Sequence, residues 1–467
     1  MSQPGSPERP LRVAIVGSGP TGFYAAQHLF DQDGLTVEVD MFDRLPTPYG
    51  LVRLGVAPDH QKIKKVIAVY ARTAANERFR FFGNVELGRD IQVEDLRRHY
   101  DQVVYCTGSP SDRRLGIPGE DLDGSYTATE FVAWYNGHPD YADAGFDLSR
   151  EAAVIVGVGN VAVDVARVLC RTHEELAATD IADYALEALR ESKVRRVYVL
   201  GRRGPAQAAF TNTEIKELGE LPRAECSVLP EEMQLDELTR EALEANPDKM
   251  TTRKLDILNG LAGRSEPEKE SKLQIRFLVS PVEIEGNDAG QVSAVRIERN
   301  RLEGASGGRT RAVGTGEFET LEAGLVFRSV GYRGVALPGV PFRDDWAIIP
   351  NDAGRVQEST DGPLRPGEYV AGWAKRGPSG VIGTNKPDAL ETVQCMVEDV
   401  AAGKTLSPES PTAEAIDGLL AERQPRVFRF DDWKQLDALE TAAGEKSARP
   451  RVKFTDIDAM WSALDKG

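Results

Sequence analysis

Leu11-Arg-Val-Ala-Ile-Val-Gly-Ser-Gly-Pro-Thr-Gly22 and Ala152-Ala-Val-Ile-Val-Gly-Val-Gly-Asn-Val-Ala162 are two versions of one pattern in a single chain. Each starts as an apolar run that reads as a buried strand and ends in a glycine loop that opens an amphipathic helix. The loops are a GxGxxG at Gly17, Gly19 and Gly22 and a GxGxxA at Gly157, Gly159 and Ala162. Glycine lets the backbone turn tightly and approach a pyrophosphate, whose charge then rests on the free amides of the helix N-terminus. One such loop is unspecific. Two of them imply two bound dinucleotides, the layout of a flavoprotein fed by a nicotinamide nucleotide.

Working outward from the first loop, a helix from Gly22 to Phe30 leads to a strand, Val37 to Phe42, that ends at Asp43. An acid about 20 residues beyond the last glycine accepts hydrogen bonds from ribose hydroxyls that carry no 2′-phosphate, which assigns this unit to FAD. The second unit runs from the strand Ala152 to Val156 through a helix at Asn160 to Cys170 and reaches the strand Val197 to Leu200. That strand ends in Gly201-Arg202-Arg203-Gly204 instead of an acid. Paired guanidinium groups grip a 2′-phosphate, so NADPH is the expected nucleotide. About 40 residues, not the usual ~20, separate Ala162 from Arg202, because Thr179 to Ser192 reads as an additional amphipathic helix.

The rest of the chain is consistent with a redox protein of two to three domains. It has 467 residues, 41% of them hydrophobic and 28% charged, and no apolar run approaches the ~18 residues that cross a bilayer. The polar, proline-bearing stretch Met1 to Pro10 lacks the apolar core of a signal peptide, giving a cytoplasmic expectation. A net charge of −17 argues against nucleic acid as a partner. Cys106, Cys170, Cys226 and Cys395 are far apart and form no CxxC pair, which removes both a redox disulfide and an iron–sulfur ligand set. Leu302 to Gly316, rich in Gly, Ser and Arg, reads as a long exposed hairpin loop. Beyond Gly403, helical spacing recurs at Ala413 to Arg423, Trp433 to Leu439 and Ile457 to Leu464, suggesting an extension packed on the FAD unit.

Four longer segments are more specific than the glycine loops. They are Pro46-Thr-Pro-Tyr-Gly-Leu-Val-Arg-Leu-Gly-Val-Ala-Pro-Asp-His60, Arg80-Phe-Phe-Gly-Asn84, Ile117-Pro-Gly-Glu120 and Gly372-Trp-Ala-Lys-Arg-Gly-Pro-Ser-Gly-Val-Ile-Gly-Thr-Asn385. From about residue 11 to 403 the chain resembles the adrenodoxin reductase family of ferredoxin–NADP reductases, in the layout of its bacterial members. The resemblance implies an α/β, glutathione-reductase-like fold of two Rossmann-like domains. An NADP domain at 109–331 would be inserted into a discontinuous FAD domain, 1–108 and 332–467, with a helical extension from about 404. The strand-like runs Val103 to Gly108 and Leu325 to Gly331 mark the two crossings, and Gly367 to Trp373 leads into the last glycine-rich segment and a helix at about Lys386 to Val400.

The resemblance also implies site residues. On FAD it places Gly17, Gly19, Pro20, Thr21, Gly22, Asp43, Leu51, Leu87, Trp373, Gly380, Val381 and Ile382. On NADP it places Arg113, Gly157, Val158, Gly159, Asn160, Val161, Arg202, Arg203 and Glu214, with Gly380 where the nicotinamide approaches. His60 and Glu217 form a polar pair near the nicotinamide, with tuning roles and no metal. The implied reaction passes electrons from NADPH through FAD to a ferredoxin-type one-electron carrier, the flavin converting two-electron into one-electron chemistry. Arg195, Arg196, Arg223, Lys375 and Arg376 are candidates for a basic docking face. A flavin monooxygenase, a diaphorase or quinone reductase, and a redox sensor without turnover are the competing readings.

Overall fold

A strand buried along its whole length, as Leu11–Val16 is, has no face to offer water and belongs inside a parallel sheet covered by helices on both sides. In the computed structural model, which describes residues 4–262, 264, 269–305, 309–464 and 466, it lies between Gln102–Tyr105 and Val37–Asp43. The parallel core extends to Phe79–Gly83 on one side and Leu364–Val370 on the other. Two short antiparallel strands, Asn351–Asp352 and Arg355–Gln357, complete seven.

Ala152–Val156, equally buried, has the same place in a second, all-parallel sheet of six strands. The order is Ser125–Thr127, Leu325–Arg328, Ala152–Val156, Arg196–Gly201, Ser271–Phe277 and Ala224–Val228. The chain passes between the sheets at Ser111–Asp112 and returns at Tyr332–Arg333, and these two segments pair with each other as a small antiparallel ribbon. Sequence before and after the second sheet therefore meets again in the first.

Several expected elements are redrawn. The helix expected over Thr179 to Ser192 is shorter, Asp183–Arg190, and a separate helix, His173–Ala177, precedes it. Between them Thr179 Oγ1 donates to the Leu176 carbonyl and accepts from the Ile181 amide, a local turn that competes with helix. The expected loop at Leu302 to Gly316 is mostly strand: Val292–Ala305 and Arg309–Glu322 form a long antiparallel ribbon with Val279–Gly286. Its inner part buries Ile284, Val292, Val295, Ile297 and Leu321 in a core, and beyond Asn300 backbone pairing, as at Glu303 opposite Arg311, sustains it; the tip, 306–308, lies outside the described residues, as does 1–3 of the N-terminal stretch. The two crossing strands are shorter than expected, ending at Tyr105 and Arg328; the strand expected at Gly367 to Trp373 runs earlier, Leu364–Val370, and Trp373 opens a short helix, Trp373–Arg376.

The C-terminal helices Ala413–Arg423, Phe430–Lys446 and Ile457–Ala463 pack Ile416, Leu420, Trp433, Leu436 and Met460 into the cores flanking the first sheet. They also reach further than a covering layer would. Arg53 makes a buried bidentate pair with Glu440, at 2.8 and 2.5 Å. Lys453 donates to the carbonyls of Arg53 and Asn136, and Arg449 donates to those of Thr179 and Ile181. The extension is thereby stitched to both sheet units. Among the described residues no helix is long and apolar enough to cross a membrane.

Candidate functional site

Each glycine loop sits at the C-terminal end of a central parallel strand, where ligands bind in open α/β sheets. Gly17 and Gly157 have φ of +106° and +131°, and a Cβ there would fall 2.5 Å from the Cys106 carbonyl oxygen and 2.1 Å from that of Ser329. Gly19 and Gly159 differ: a Cβ on either would meet no protein atom within 4 Å. Both are N-caps, of helices Pro20–Phe30 and Asn160–Cys170, and neither has a side-chain cap. Thr127, Thr172 and Thr211 do cap their helices with a hydroxyl. The two glycine-capped helices thus present free amides toward open space, the cradle that a pyrophosphate fits.

Around the first loop the fold gathers residues more than 300 positions apart. Thr21 lies against Gly372, whose Cβ, if it had one, would sit 2.3 Å from Thr21 Oγ1. The Gly372 amide donates to Asp388, and helix Pro20–Phe30 packs on helix Asn385–Ala401, with His28 Nε2 3.2 Å from the Lys386 carbonyl. Leu51 and Val381 are exposed apolar side chains and Ile382 is half-buried, whereas the Leu87 side chain is buried in the core with Phe82 and Val85. Gly380 has φ +79°, and its packing on Thr384 already excludes a side chain. Trp373 stacks obliquely on Tyr332 at 5.1 Å and donates from Nε1 to the Ser379 carbonyl.

Asp43 has a second task that spacing did not show. Its Oδ2 accepts from the Ser18 amide at 2.8 Å and the Ser18 hydroxyl at 2.6 Å, and its Oδ1 accepts from the Leu45 amide at 2.9 Å. A carboxylate has about four acceptor positions, so one on Oδ1 stays open for a ribose hydroxyl.

The second loop is tied to the arginine turn by tertiary pairing. Val156 pairs with Leu200, so Gly157 and Gly201 are neighbours despite the long insertion, and a Cβ on Gly201 would touch Val158 at 3.0 Å. The Val158 carbonyl accepts from the Ala209 and Phe210 amides, and Asn160 Oδ1 accepts from the Thr211 amide. Val161 is half-buried beside that core. Among the described residues Arg202, Arg203 and Arg113 have no acid within ion-pair distance. Burial and the neighbouring Arg202 lower the pKa of Arg203. Arg113 lines a cavity of about 510 Å³ with Gly331, Trp346, Arg376 and Gly377, between the two units.

His60 lies where the units meet, at the start of helix Gln61–Lys64. Its Nε2 donates to Glu217 Oε2 at 3.0 Å, and its Nδ1 is 3.7 Å from Glu214 and 3.9 Å from Asp164. Arg167 is the hub beneath, fully buried, donating to Asp59 at 2.7 Å, Asp164 at 2.6 Å and Glu214 at 2.9 Å. Glu214 is therefore a buried ion-pair partner first, and any nucleotide contact is shared with that duty. The i, i+3 spacing of Asp164 and Arg167 on one helix was the sequence signal for this hub. Burial pushes Asp164 up to about 6 against the pull of Arg167. At Asp59 burial raises the pKa, but Arg167 and Arg171 outweigh it and hold it at about 2.

Asp180 is held at about 2 in the same way, by Lys453 and Lys64 against burial. Both carboxylates are depressed, so each contributes stability that is full above pH ~4 and is lost as pH falls toward ~2. Urea titrations are expected to show about 2 kcal/mol lost per group over that window. In Asp59→Asn the acid limb should flatten; an unchanged limb would sink the assignment.

Of the five suggested basic docking residues Arg196 is exposed, and the other four are already engaged. Lys375 is buried and its ammonium meets Glu391, Arg195 and Arg223 both pair with Glu270, and Arg376 braces the carbonyl of Ser379 and the side chains of Thr384 and Asn385. All four cysteines are buried thiols, and burial pushes Cys170 up to about 12.

Two sheets with parallel cores and matched glycine cradles, joined by a paired crossing, define a flavin- and pyridine-nucleotide-dependent oxidoreductase. A family model described as "Pyridine nucleotide-disulphide oxidoreductase" matches residues 11–200. The chain is 46% identical over 458 residues to NADPH-ferredoxin reductase FprA of Mycobacterium tuberculosis, covering 96% of this chain and 98% of that one. It is 42% identical over 462 residues to the mitochondrial NADPH:adrenodoxin oxidoreductase of Salvelinus fontinalis, covering 97% and 91%. The solved structure of M. tuberculosis FprA in complex with NADPH superposes with a TM-score of 0.91 at 45% identity, covering 98% of this chain and 100% of that one. The chain belongs to the adrenodoxin reductase-like family of ferredoxin–NADP reductases.

Proposed function

We propose that the protein carries electrons from NADPH through FAD to a ferredoxin-type iron–sulfur protein. The observation that carries this reading is the inequality of the two cradles: one completed by Asp43, the other by Arg202 and Arg203. In this reading residues 1–108 and 332–467 form the FAD domain and 109–331 the NADP domain. FAD, when bound, accepts two electrons from NADPH and releases them singly. The chain's residues supply the rest. Free amides at Gly19 and Gly159 hold the pyrophosphates, Arg113, Arg202 and Arg203 the nucleotide phosphates, and Leu51, Trp373, Gly380, Val381 and Ile382 shape the flavin wall. The C-terminal extension and the Arg167 hub keep the two domains in register, which fixes distance and orientation between the rings. With buried thiols and no redox disulfide, electrons leave the flavin directly for an outside carrier. A cytoplasmic setting accords with those reduced cysteines.

The deciding experiment is anaerobic: purified yellow protein is bleached with NADPH, then titrated with oxidised ferredoxins of its host. Reoxidation by a ferredoxin at stoichiometric concentration is expected. Rapid reduction of simple quinones with no ferredoxin reduced would replace the partner, and no bleaching within seconds would remove the enzyme reading.

His60 and Glu217 tune the site without acting as a proton donor and acceptor pair. Losing a general acid or base costs about 10²–10⁴-fold. Glu217→Gln is therefore expected to change the rate of flavin bleaching by less than about tenfold, and a loss above ~10² in stopped flow would show that the pair is essential.

A further inference from the structure

The turn that carries Arg202 and Arg203 is anchored from outside its own strand. Asn300 Nδ2 donates to the Arg202 carbonyl at 2.9 Å and to Ser280 Oγ at 2.8 Å. The Leu278 amide donates to the Arg203 carbonyl at 3.1 Å, and the Asn300 amide donates to the Leu278 carbonyl at 2.7 Å. Both arginines are thus held by their backbones through one short chain of bonds, Ser280 to Asn300 to Leu278.

Two irregularities make these bonds possible. Leu278 joins strand Ser271–Phe277 to strand Val279–Gly286 with φ +55°, the left-handed region that leucine avoids. The pairing of Val292–Ala305 with Arg309–Glu322 shifts register between Glu298 and Asn300, a bulge of the kind that re-aims a side chain. Asn300 itself is buried, 9% exposed, and is the last buried residue of its strand, whose outer end from Arg301 to Ala305 is exposed or half-buried. Nearby, Leu302 comes within 3.9 Å of where a Cβ on Gly204 would be, so the ribbon abuts the turn a second time.

We propose that Asn300, supported by Leu278, is a positioning residue that sets the preference for a 2′-phosphorylated adenine nucleotide. The inference rests on the reading of Arg202 and Arg203 as ligands of that phosphate. Two adjacent guanidinium groups without an acid partner repel each other, and a loose turn would let them diverge. Tying both carbonyls to the ribbon removes that freedom before the nucleotide arrives, so less order is lost on binding. A nucleotide without the 2′-phosphate makes no use of the arginines and gains nothing from the anchor.

The test uses the FAD-loaded protein and two fragments, 2′,5′-ADP and 5′-AMP, followed by calorimetry. Asn300→Ala is expected to raise the Kd of 2′,5′-ADP about tenfold, and to move that of 5′-AMP by less than about twofold. Under turnover with an artificial acceptor, KM for NADPH should rise by the same factor while kcat and the NADH parameters hold. Ser280→Ala, which removes only the second tether of the amide, should show a smaller loss in the same direction. Equal weakening of both fragments in Asn300→Ala, or no change in either, would overturn the positioning role, provided Arg202→Ala is selective for 2′,5′-ADP. Should Arg202→Ala weaken both fragments alike, the phosphate reading fails first and takes this inference with it.

Discussion

Arg202→Ala/Arg203→Ala is expected to weaken NADPH binding on the order of 10²–10⁴-fold while leaving NADH binding almost unchanged. Each charged hydrogen bond to a phosphate contributes roughly 1.5–3 kcal/mol, and about 1.4 kcal/mol is a factor of ten in affinity. One arginine alone should therefore cost about 10- to 100-fold. The pair is suited to isolate this effect because among the described residues neither guanidinium forms an ion pair, so removing them leaves no buried acid uncompensated. Removing them even favours the apo protein slightly, since burial and the neighbouring Arg202 disfavour the charge of Arg203. The melting temperature should stay close to that of the parent. Direct measurement of Kd for both nucleotides decides the matter: parallel losses for NADPH and NADH would assign the arginines to general electrostatics and not to the 2′-phosphate.

The second large effect separates the two cradles. Gly19→Val is expected to give a folded, colourless protein, and Gly159→Val a yellow protein that NADPH does not bleach. Both glycines have extended backbone angles that valine adopts, with φ of −76° and −103°. The added Cβ meets no protein atom within 4 Å at either position. Valine at an N-cap costs about 1 kcal/mol at most, too little to unfold a domain. What the new side chain does occupy is the space that a pyrophosphate needs against the helix amides. Flavin content by absorbance, and bleaching by NADPH in stopped flow, read the two outcomes independently. A colourless Gly159→Val with a yellow Gly19→Val would exchange the two assignments.

The elements were legible where burial is local and periodic. Leu11–Val16, Ala152–Val156 and Asn160–Cys170 have the boundaries that their apolar patterns indicate. Legibility failed beyond Asn300, where backbone pairing sustains the outer ribbon without a buried apolar stripe, and at Thr179, where a local turn stands in place of the expected start of a helix. Charge was the hardest to read. Lys375 and Arg376 look like surface cations in sequence, yet one is buried on Glu391 and the other ties its own loop together. Exposure depends on what packs against a residue, and that is set by helix Asn385–Ala401 folding back over the short helix Trp373–Arg376.

By itself, the sequence indicated two dinucleotide cradles, the nucleotide proposed for each, and the lack of a CxxC pair. Those properties follow from glycines, an acid, two arginines and the spacing of cysteines, all within reach of a short stretch of chain. Only the tertiary structure decided how the cradles are completed. Parallel pairing of Val156 with Leu200 brings Arg202 beside the second loop across a 40-residue insertion. The packing of Thr21 on Gly372 closes the first. A fully buried arginine at 167 collects three acids from three segments into one interface. Such contacts arise because a charge removed from water must find its partners wherever the fold places them, and their distance along the chain leaves no trace in local pattern.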